Sequence, residues 1–598
     1  MTLRLRLGAC AILTALSSCG GSNEAPNDAP NEGGLANDGG VTDGPDGLDV
    51  AFQAGGEAGP THACSADLRT VLDPAGKPIA TCLLDQGCLN GACVGACDAA
   101  AGSKSTIGCE YYAHQYAISM TNSDQWWNYG DIRGGCYAAV VVNTWPTPAK
   151  LTVSRAGKTF PVDPFARVLA TDATGSLKYD PYPTTGLPPN TAAVLFLSYD
   201  TRAAGKGSDV PCPAGVTAAT TIDSAIHVTG YNDAFNIGSD RPVTAYQVYP
   251  WGGAPSAIPS ATLLYPSSAW GTNYVAPAIS DQYAIGIGVG NDVTYLKPFV
   301  TLVASEDTMV TLVAKVDIAG DATNGVAAVP KNTPATYSIG KGQYLQLLQR
   351  PNLGGTIVSS TRPVGMFIGS QQFRLPVSGI GDGDNQGQMV PPIRAQGWEY
   401  VGASYDLPSA TPWQLVGAMD GTTLTYDPAP PLGAPTTINL GDVLEFSSQT
   451  EFTVRSQGSD HPFYMAVYKR SDDNNTPSGP DFVNILPPVQ YRSQYVFVTD
   501  PTYKTTALVF VHAKGAGDVR LDCVGKIDGF KPIGSGAYEV ARVVFGKGNT
   551  CKNGPHQATS DGAFGITVWG WSFAASYGYP AGGNSFPVNN VIVPPVPR

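Results

Sequence analysis

The sequence is poor in charge and in histidine, and these shortages exclude several classes of function. Only 14% of its 598 residues are charged, and six are histidines. The 35 Lys and Arg residues are outnumbered by 48 Asp and Glu residues, so the net charge is −13. Nucleic-acid binding needs clustered basic residues that neutralise phosphates. We therefore expect no nucleic-acid partner.

Signatures of catalysis and of metal binding are also missing. The sequence contains no G-x-S-x-G, no H-E-x-x-H and no P-loop. Glu110 and His114 in CEYYAH are four residues apart, but in a β-rich context they are interpreted as unrelated neighbours. We expect no enzyme, no cofactor and no metal site. The histidines are scattered without metal-ligand spacing: His62, His114, His227, His461, His512 and His556.

Long apolar runs and helical periodicity are absent as well. No stretch keeps apolar residues at helical spacing, and no segment beyond the N-terminus is apolar enough to span a membrane. By contrast, 70 Gly and 49 Pro residues accompany abundant Val, Thr, Ser and Tyr. Many turn formers among β-branched and aromatic residues are typical of short strands. The composition predicts an all-β protein with few helices.

The N-terminus has the features of an export signal. Arg4 and Arg6 precede an apolar run from Leu7 to Leu16, too short to span a bilayer. The run ends in Leu-Ser-Ser-Cys19, which resembles the lipobox of bacterial lipoproteins. We predict a lipoprotein signal peptide at residues 1–18 and a lipid on Cys19; the alternative is an ordinary signal peptide with an incidental cysteine. The residue after Cys19 is Gly20 and not the Asp that often retains such lipoproteins in the inner membrane. We therefore expect the protein at the outer membrane, facing the periplasm or at the cell surface.

Two short segments precede the main body of the chain. Residues 19–61 are rich in Gly, Asn, Asp and Pro and have almost nothing to bury, so they are predicted to be a disordered tether. Residues 62–100 form a Cys-rich module, too short to build its own core without covalent links. A zinc site is the alternative for this module, but its spacing is not two C-x-x-C pairs.

Ten cysteines remain after Cys10 and Cys19 are set aside, an even number that suits disulfides in an oxidising compartment. Five lie between Cys64 and Cys97, so one of the five must pair outside the group. Cys97 with Cys109 or Cys136 is one solution, and Cys523 with Cys551 is a second expected pair. The candidates are Cys64, Cys82, Cys88, Cys93, Cys97, Cys109, Cys136, Cys212, Cys523 and Cys551.

One phrase recurs in the main body after Pro242, Pro363 and Pro462, and again after Ala563. The first, third and fifth residues that follow are nearly all apolar, and a period of two is the pattern of one strand face. Each proline is predicted to open its strand, where a missing N–H does least harm. The aligned residues are Val243, Ala245 and Gln247; Val364, Met366 and Ile368; Phe463, Met465 and Val467; Phe564, Ile566 and Val568.

A second phrase follows the first three copies, with Pro, a polar turn and a Tyr leading into an apolar strand. The copies are LLYPSSAWGTNYVAP, QMVPPIRAQGWEYVGAS and NILPPVQYRSQYVFVTD. The repeat is roughly 100 to 120 residues long, which is enough for a β-sandwich with its own core. We predict tandem sandwich-like units at 101–275, 276–402, 403–500 and 501–598. A β-propeller is the less favoured alternative, because the unit is more than twice as long as a typical propeller blade.

Two acidic segments and two aromatic groups are candidate binding features. GIGDGDNQG holds Asp382 and Asp384, and SDDNNTPSGPD holds Asp472, Asp473 and Asp481. Neither has the later Glu of a calcium loop, so both are predicted to be solvated hairpin loops that share one variable binding edge. The aromatic groups fill the core or contact a ligand. They are Trp126, Trp127, Tyr129 and Tyr137, and Trp569, Trp571, Tyr577 and Tyr579.

Several phrases together resemble the IgGFc-binding protein N-terminal domain family. They are IGCEYYAHQYAISM, RPVTAYQVYP, LLYPSSAWGTNYV, QMVPPIRAQGWEYV, GDVLEFSS and ITVWGWSFAASYGYPAGG, and they span roughly residues 101–585. The resemblance implies a non-catalytic β-repeat scaffold used for binding or adhesion. Bacterial relatives of the myxobacterial type are exported lipoproteins with a Cys-rich segment before the domain. This chain departs from them at RLPVSGIGDGDNQG, which lacks cysteine.

The sequence therefore predicts a surface-displayed binding or adhesion lipoprotein. Its partners would be the membrane, through the lipid, and an extracellular glycan or protein. A structural protein of the envelope or extracellular matrix without a specific ligand is the alternative. A polymer hydrolase is a third, weaker hypothesis, because it would need two carboxylates at catalytic distance in a cleft.

Overall fold

The computed structural model describes residues 62–118, 133–171, 177–203, 210–256, 258–281, 296–375, 383–405, 410–471 and 478–597. The predicted signal peptide, Cys19 and tether lie outside these residues. The described chain contains 39 strands and one α-helix, α1, and no helix in it is long and apolar enough to cross a membrane. The prediction of an all-β fold with few helices is confirmed.

The Cys-rich module is small and depends on disulfides. Strands β1–β3 form one sheet, β4 and β5 form a hairpin, and α1 follows directly. Its buried apolar cluster contains only Val71 and two half-cystines, Cys82 and Cys88. The elements are β1 Ala63–Cys64, β2 Thr70–Leu72, β3 Pro78–Thr81, β4 Gln86–Leu89, β5 Ala92–Gly95 and α1 Ala96–Ser103.

All ten cysteines among the described residues are paired. Two disulfides, Cys64–Cys88 and Cys82–Cys93, lie inside the module, and Cys97–Cys109 joins α1 to the first strand of the main body. The remaining pairs are Cys136–Cys212 and Cys523–Cys551. The odd member of the module is therefore Cys97.

The main body consists of four β-units. Unit 1 is one nine-stranded sheet, and units 2 and 4 are eight-stranded sheets. Unit 1 contains β6 Ile107–Ala113, β7 Tyr137–Asn143, β8 Leu151–Arg155, β9 Lys158–Phe160, β10 Ala166–Thr171, β11 Leu177–Pro181, β12 Ala192–Ser198, β14 Phe235–Tyr249 and β15 Ser260–Leu264. Unit 2 contains β13 Gly230–Asp233, β16 Gly271–Val275, β17 Pro298–Ala304, β18 Thr308–Val313, β19 Ala335–Ile339, β20 Gln343–Leu348, β21 Ile357–Phe373 and β22 Asp384–Val390.

Unit 3 differs because its strands divide among a three-stranded sheet, a four-stranded sheet and a short hairpin. It contains β23 Glu399–Gly402, β24 Thr411–Gly417, β25 Thr422–Thr423, β26 Thr425–Asp427, β27 Thr437–Ile438, β28 Val443–Ser448, β29 Phe452–Arg455, β30 Phe463–Lys469 and β31 Asp481–Asn484. Unit 4 contains β32 Arg492–Thr499, β33 Thr505–Ala513, β34 Arg520–Leu521, β35 Gly525–Lys526, β36 Lys531–Ile533, β37 Tyr538–Val544, β38 Gly554–Ser572 and β39 Ala575–Pro580.

A long central strand organises units 1, 2 and 4. Its first half pairs with the unit's first strand, and its second half pairs with the last strand, as β14 does with β6 and β15. β21 and β38 repeat this pattern, and in unit 3 the same path is split into β29 and β30. The sheet is therefore bent about its central strand into a sandwich-like unit. These curved units are not the blades of a propeller.

The repeated phrase occupies equivalent positions in all four units. Val243, Val364, Phe463 and Phe564 are each fully buried on the central strand, as the period of two predicts. The prediction that proline opens the strand is wrong for Pro242 and Pro363, which lie inside β14 and β21. There the register shifts across several residues, and a missing N–H is tolerated in such a bulge.

A buried tyrosine ties the first strand of each unit to its central strand. The hydroxyls of Tyr111, Tyr274 and Tyr400 donate to the carbonyls of Val243, Val364 and Phe463 at 2.5, 2.6 and 2.7 Å. Tyr495 donates in the same way to Phe564. We call these contacts the tyrosine ties. The tyrosine in each linking phrase therefore pairs with the unit that follows it.

The last strands of the four units meet around a common centre. β15 contacts β22, β22 contacts β31, β31 contacts β39, and β39 contacts β15, which closes a ring. The closure is non-covalent: at the contact between the start of unit 1 and the end of unit 4, the N–H of Thr106 donates to the Gly583 carbonyl, and the N–H of Gly583 donates to the Thr106 hydroxyl. Residues 584–593 then bond in turn to the linkers near Gln490, Ile393 and Asn273.

Candidate functional site

Polar side chains line the ring where the last strands meet. Ser260 and Thr262 of β15 bond to the side-chain oxygens of Gln386 and Gln388 of β22, each at 3.1 Å. The amide of Gln388 also donates to the backbone of Gly578 in β39 at 3.0 Å. All four side chains are buried. These contacts join units 1, 2 and 4 through hydrogen bonds in addition to apolar packing.

One end of the ring holds a buried charged group that we call the axial cluster: Lys469, Ser478, Asp384, Asp481 and Ser576. Each has at most 1% of its surface exposed. The Nζ of Lys469 donates to the Ser478 hydroxyl at 2.6 Å, and Ser576 donates its backbone N–H to Asp384 at 2.8 Å. Asp481 accepts from the side chain of Gln386 and from the N–H of Phe482. The cluster thus draws on units 2, 3 and 4.

Two aromatic rings cover Lys469. Its Nζ lies 5.6 Å from the ring centre of Tyr405 and 5.9 Å from that of Trp571, within the range of cation–π attraction. Nζ also donates to the carbonyl of Gly479 at 3.1 Å. Lys469 lies directly opposite Asp481 where β30 pairs with β31. The cation is therefore shielded and held next to the two carboxyl groups.

Burial is the main influence on the pKa values of the two acids, Asp384 and Asp481. Desolvation raises the pKa of Asp384 well above its usual range, and the nearby Asp481 raises it further. The pKa of Asp481 is also raised well above its ordinary value, mainly by burial. Lys469 opposes both shifts because its charge favours the carboxylate form. One oxygen of each acid has no hydrogen-bond partner, so neither acid is fully satisfied.

This arrangement disfavours catalysis at the axial cluster. A general acid or nucleophile must reach its substrate within hydrogen-bond distance. Asp384 is 0% exposed and Asp481 is 1% exposed, so no substrate reaches either without opening the ring. The hydrogen bonds and charges of the axial cluster therefore serve to hold units 2, 3 and 4 together.

The prediction of solvated acidic loops is wrong for Asp384 and Asp481. Asp384 begins β22 and Asp481 begins β31, and ring closure buries both. Asp382, Asp472 and Asp473 lie outside the described residues. No local signal distinguished the buried acids from the others, because their burial depends on contacts with distant units.

The ends of the two acidic segments are nevertheless tied together. The N–H of Leu375 donates to the Ser471 hydroxyl, and the N–H of Ser471 donates to the Leu375 carbonyl, both at 3.0 Å. The N–H of Ser478 donates back to the Ser471 carbonyl at 2.7 Å. Leu375, Ser471 and Ser478, which flank the segments 376–382 and 472–477, therefore lie next to one another.

The histidines occupy unrelated surroundings. His114 is buried against Tyr344 and Phe367, and desolvation lowers its pKa to about 3. Glu110 instead accepts hydrogen bonds from Asn236 and Ser267, so it forms no acid–base pair with His114. His227 pairs with Asp223 at 2.9 Å, His461 with Asp460 at 3.1 Å and His512 with Glu539 at 3.5 Å.

One group among the described residues has the composition of a metal site. Asp522, Cys523 and His556 place their ligand atoms within 4.8 Å of one another. The sulfur of Cys523 is bonded to Cys551, so it offers no thiolate. His556 and Asp522 are joined at 3.0 Å, and this bond lowers the pKa of Asp522 although burial raises it. The group is a hydrogen-bonded acid and imidazole beside a disulfide.

The described aromatic candidates belong mostly to the core. Tyr137, Trp569, Tyr577 and Tyr579 are buried, and Trp571 is half-buried beside Lys469. Trp126, Trp127 and Tyr129 lie outside the described residues. Lys469 and Ser576 were missed by the sequence analysis. A lysine inside an otherwise apolar strand phrase, FYMAVYK, was the available signal for the first.

The comparisons agree with this repeat organisation. The family model described as IgGFc binding protein matches residues 260–570, a little over half of the chain. The chain belongs to the IgGFc-binding protein family. The match starts at the last strand of unit 1 and runs through units 2 and 3 into β38 of unit 4. The expected family membership is confirmed.

Comparisons with curated proteins and with solved structures give no further information on the family or the function. No curated protein matches the chain. Among solved structures, a mutant of the major pilin from Streptococcus pyogenes is similar, with 8% identity over 48% of this chain and 98% of the pilin. Its TM-score of 0.11 is too low to support any argument.

Proposed function

We propose that the chain is a non-catalytic binding or adhesion protein, held at the outer membrane by a lipid on Cys19. Membership of the IgGFc-binding protein family carries the binding part of this proposal. The signal-like residues 1–18 and the Leu-Ser-Ser-Cys19 sequence support the anchor. Residues 19–61 would separate the folded units from the lipid surface.

The four-unit ring suits display. A buried tyrosine tie fixes the first strand within each unit, and the closed circle of last strands restricts relative movement of the units. Recognition on such scaffolds commonly lies in loops that rigid strands position. The contact between Leu375 and Ser471 supports the proposal that the segments 376–382 and 472–477 form the ligand-contacting edge. The proposed ligand is an extracellular glycan or glycoprotein.

Labelling with palmitate tests the anchor. Wild-type protein in the bacterium should incorporate the label and partition with membranes, whereas Cys19→Ala should lose both. Cys10→Ala is the matched control and should keep the label, since Cys10 lies within the predicted signal peptide. A wild-type protein recovered without lipid contradicts the anchor.

An array of glycans and surface proteins tests the binding role. Saturable binding that is lost when 376–382 or 472–477 is replaced by a Gly-Ser segment of equal length supports it. A protein that folds, reaches the surface and enriches nothing saturably is the envelope or matrix component of the alternative hypothesis.

A further inference from the structure

Three of the four junctions between units share a close glycine–proline contact. A Cβ placed on Gly108, Gly271 or Gly397 would lie 2.4 or 2.5 Å from the Cβ of the proline in the next linker. Those prolines are Pro266, Pro392 and Pro487. Each glycine precedes the tyrosine of a tyrosine tie by three residues. The absence of a side chain lets the proline ring close the junction.

The fourth junction, where unit 4 meets unit 1, has the opposite arrangement. Arg492 stands three residues before Tyr495, in the glycine position, and Gly583 stands where the other linkers have proline. A cavity of about 160 Å³ opens here. We call it the seam cavity. Its wall includes Arg69 of the Cys-rich module, Trp145 and Asn190 of unit 1, and Arg492 and Gln494 of unit 4.

The two guanidinium groups of the seam cavity have no carboxylate partner. Neither Arg69 nor Arg492 forms an ion pair with any residue that the structure describes. Arg492 donates to the Ala66 carbonyl at 3.2 Å and to the Asn584 side chain at 3.1 Å. Both acceptors are neutral, so the positive charge remains uncompensated.

Arg69 has a buried donor without a partner. Its Nε is shielded from solvent and makes no hydrogen bond, and its guanidinium lies 5.5 Å from the ring centre of Trp145. Asp67 is the one acid in the cavity wall, and its Oδ1 already accepts from the Arg69 N–H and the Ser65 hydroxyl. The wall therefore holds two guanidinium groups against one carboxylate. Burial also lowers the pKa of Arg492, as expected for an uncompensated cation.

We propose that the seam cavity binds a small anionic group, a carboxylate or a phosphate, between Arg492 and Arg69. A guanidinium fork matches the oxygens of either group, and partial burial strengthens such charge-assisted hydrogen bonds. The volume admits a head group about the size of one sugar residue, well below the usual 300–1,000 Å³ of drug-sized sites. Asn190 and Gln494 add neutral polar groups for orientation. The site is independent of the proposed ligand-contacting edge.

Titration of the full chain with three probes tests the proposal. Inorganic phosphate, glucuronate and neutral glucose are titrated at low ionic strength by calorimetry, with tryptophan fluorescence as a second readout. We expect phosphate or glucuronate to bind and glucose not to bind. Arg492→Gln should weaken the anion roughly 10- to 100-fold, and Arg69→Gln should weaken it similarly. Arg362→Gln is the matched control, because Arg362 is exposed and is not part of the cavity lining.

The outcomes separate the sources of the anion. Preference for glucuronate indicates an acidic sugar, and preference for phosphate indicates a phosphorylated ligand; either supports the site if both cavity variants lose it. Binding that survives in both variants, or that Arg362→Gln weakens equally, overturns the site. So does a folded wild-type protein that binds neither anion. Retained far-UV circular dichroism and melting temperature show that a variant is folded.

Discussion

The axial cluster and the seam cavity are both buried charged regions at contacts between units, yet their charges are balanced differently. In the axial cluster Lys469 lies beside Asp384 and Asp481; Lys469 donates to the Ser478 hydroxyl of its own unit, and Asp384 accepts from the Ser576 hydroxyl of unit 4. In the seam cavity Arg492 bonds only to neutral acceptors and the Nε of Arg69 has no partner among the described residues, and both arginines line an open volume. A balanced group contributes to packing, whereas an unbalanced one next to a cavity is suited to an external partner.

The largest expected effect is at the axial cluster. Lys469→Met leaves two buried acids without their cation, and removing one partner of a buried charged pair costs roughly 3–5 kcal/mol in free energy of unfolding. Urea unfolding measures the loss. Lys526→Met is the control, since its pair with Asp518 is about half exposed and should contribute below about 1 kcal/mol. Equal losses in the two variants would remove the distinction between the regions.

The second prediction concerns the tyrosine ties, one of which, at Tyr495, lines the seam cavity. Tyr400→Phe deprives the Phe463 carbonyl and the Gly397 N–H of a buried partner, which costs about 1–3 kcal/mol. Tyr495→Phe at the seam should cost a similar amount, because its contacts are equivalent. Tyr231→Phe, at a half-buried site outside the ties, is the control. A seam tie without measurable effect would show that the fourth junction is held in another way.

The third prediction is the pH dependence of the axial cluster. The folded pKa values of Asp384 and Asp481 are raised, so their stabilising contribution is complete below the ordinary Asp value and is lost as pH rises through the folded values. Asp384→Asn removes one titrating group and should flatten the decline in unfolding free energy as pH rises above about 4.

An aspartate whose pKa is lowered on folding is the control for the pH experiment. Hydrogen bonds from Ser535 lower the pKa of Asp427, so its contribution is present above the ordinary Asp value and is lost as pH falls. Asp427→Asn should therefore change the acid limb and leave the decline at higher pH intact. An Asp384→Asn profile parallel to wild type would show that the buried acid does not titrate in this range.

The smallest effect is expected for Arg492→Gln. Loss of two hydrogen bonds to neutral acceptors is offset by relief of an uncompensated, partly buried charge, so stability should change by less than about 1 kcal/mol. Thermal unfolding without added anion measures this. A loss as large as that of Lys469→Met would mean that the arginine holds the seam together.

Much of the fold could be predicted from local patterns, and the candidate sites could not. Val243, Val364, Phe463 and Phe564 are equivalent because alternation along a strand is visible in a few consecutive residues. The prolines were placed wrongly since a bulge within a long strand produces the same local pattern as a strand start. The acids were misjudged for a different reason: Asp384 bonds to Ser576, which is 192 residues away.

The amino-acid sequence by itself determined the strand faces, the turns between them and the number of cysteines to be paired, because each depends on neighbours along the chain. Only the tertiary structure decided which acids are buried, that Arg69 and Arg492 lack a carboxylate partner among the described residues, and where the four units close into a ring. Those outcomes depend on the solvent exposure and charge that each side chain meets after distant segments pack together. Exposure and charge at such contacts are properties of the assembled units, and no local stretch of the sequence carries them.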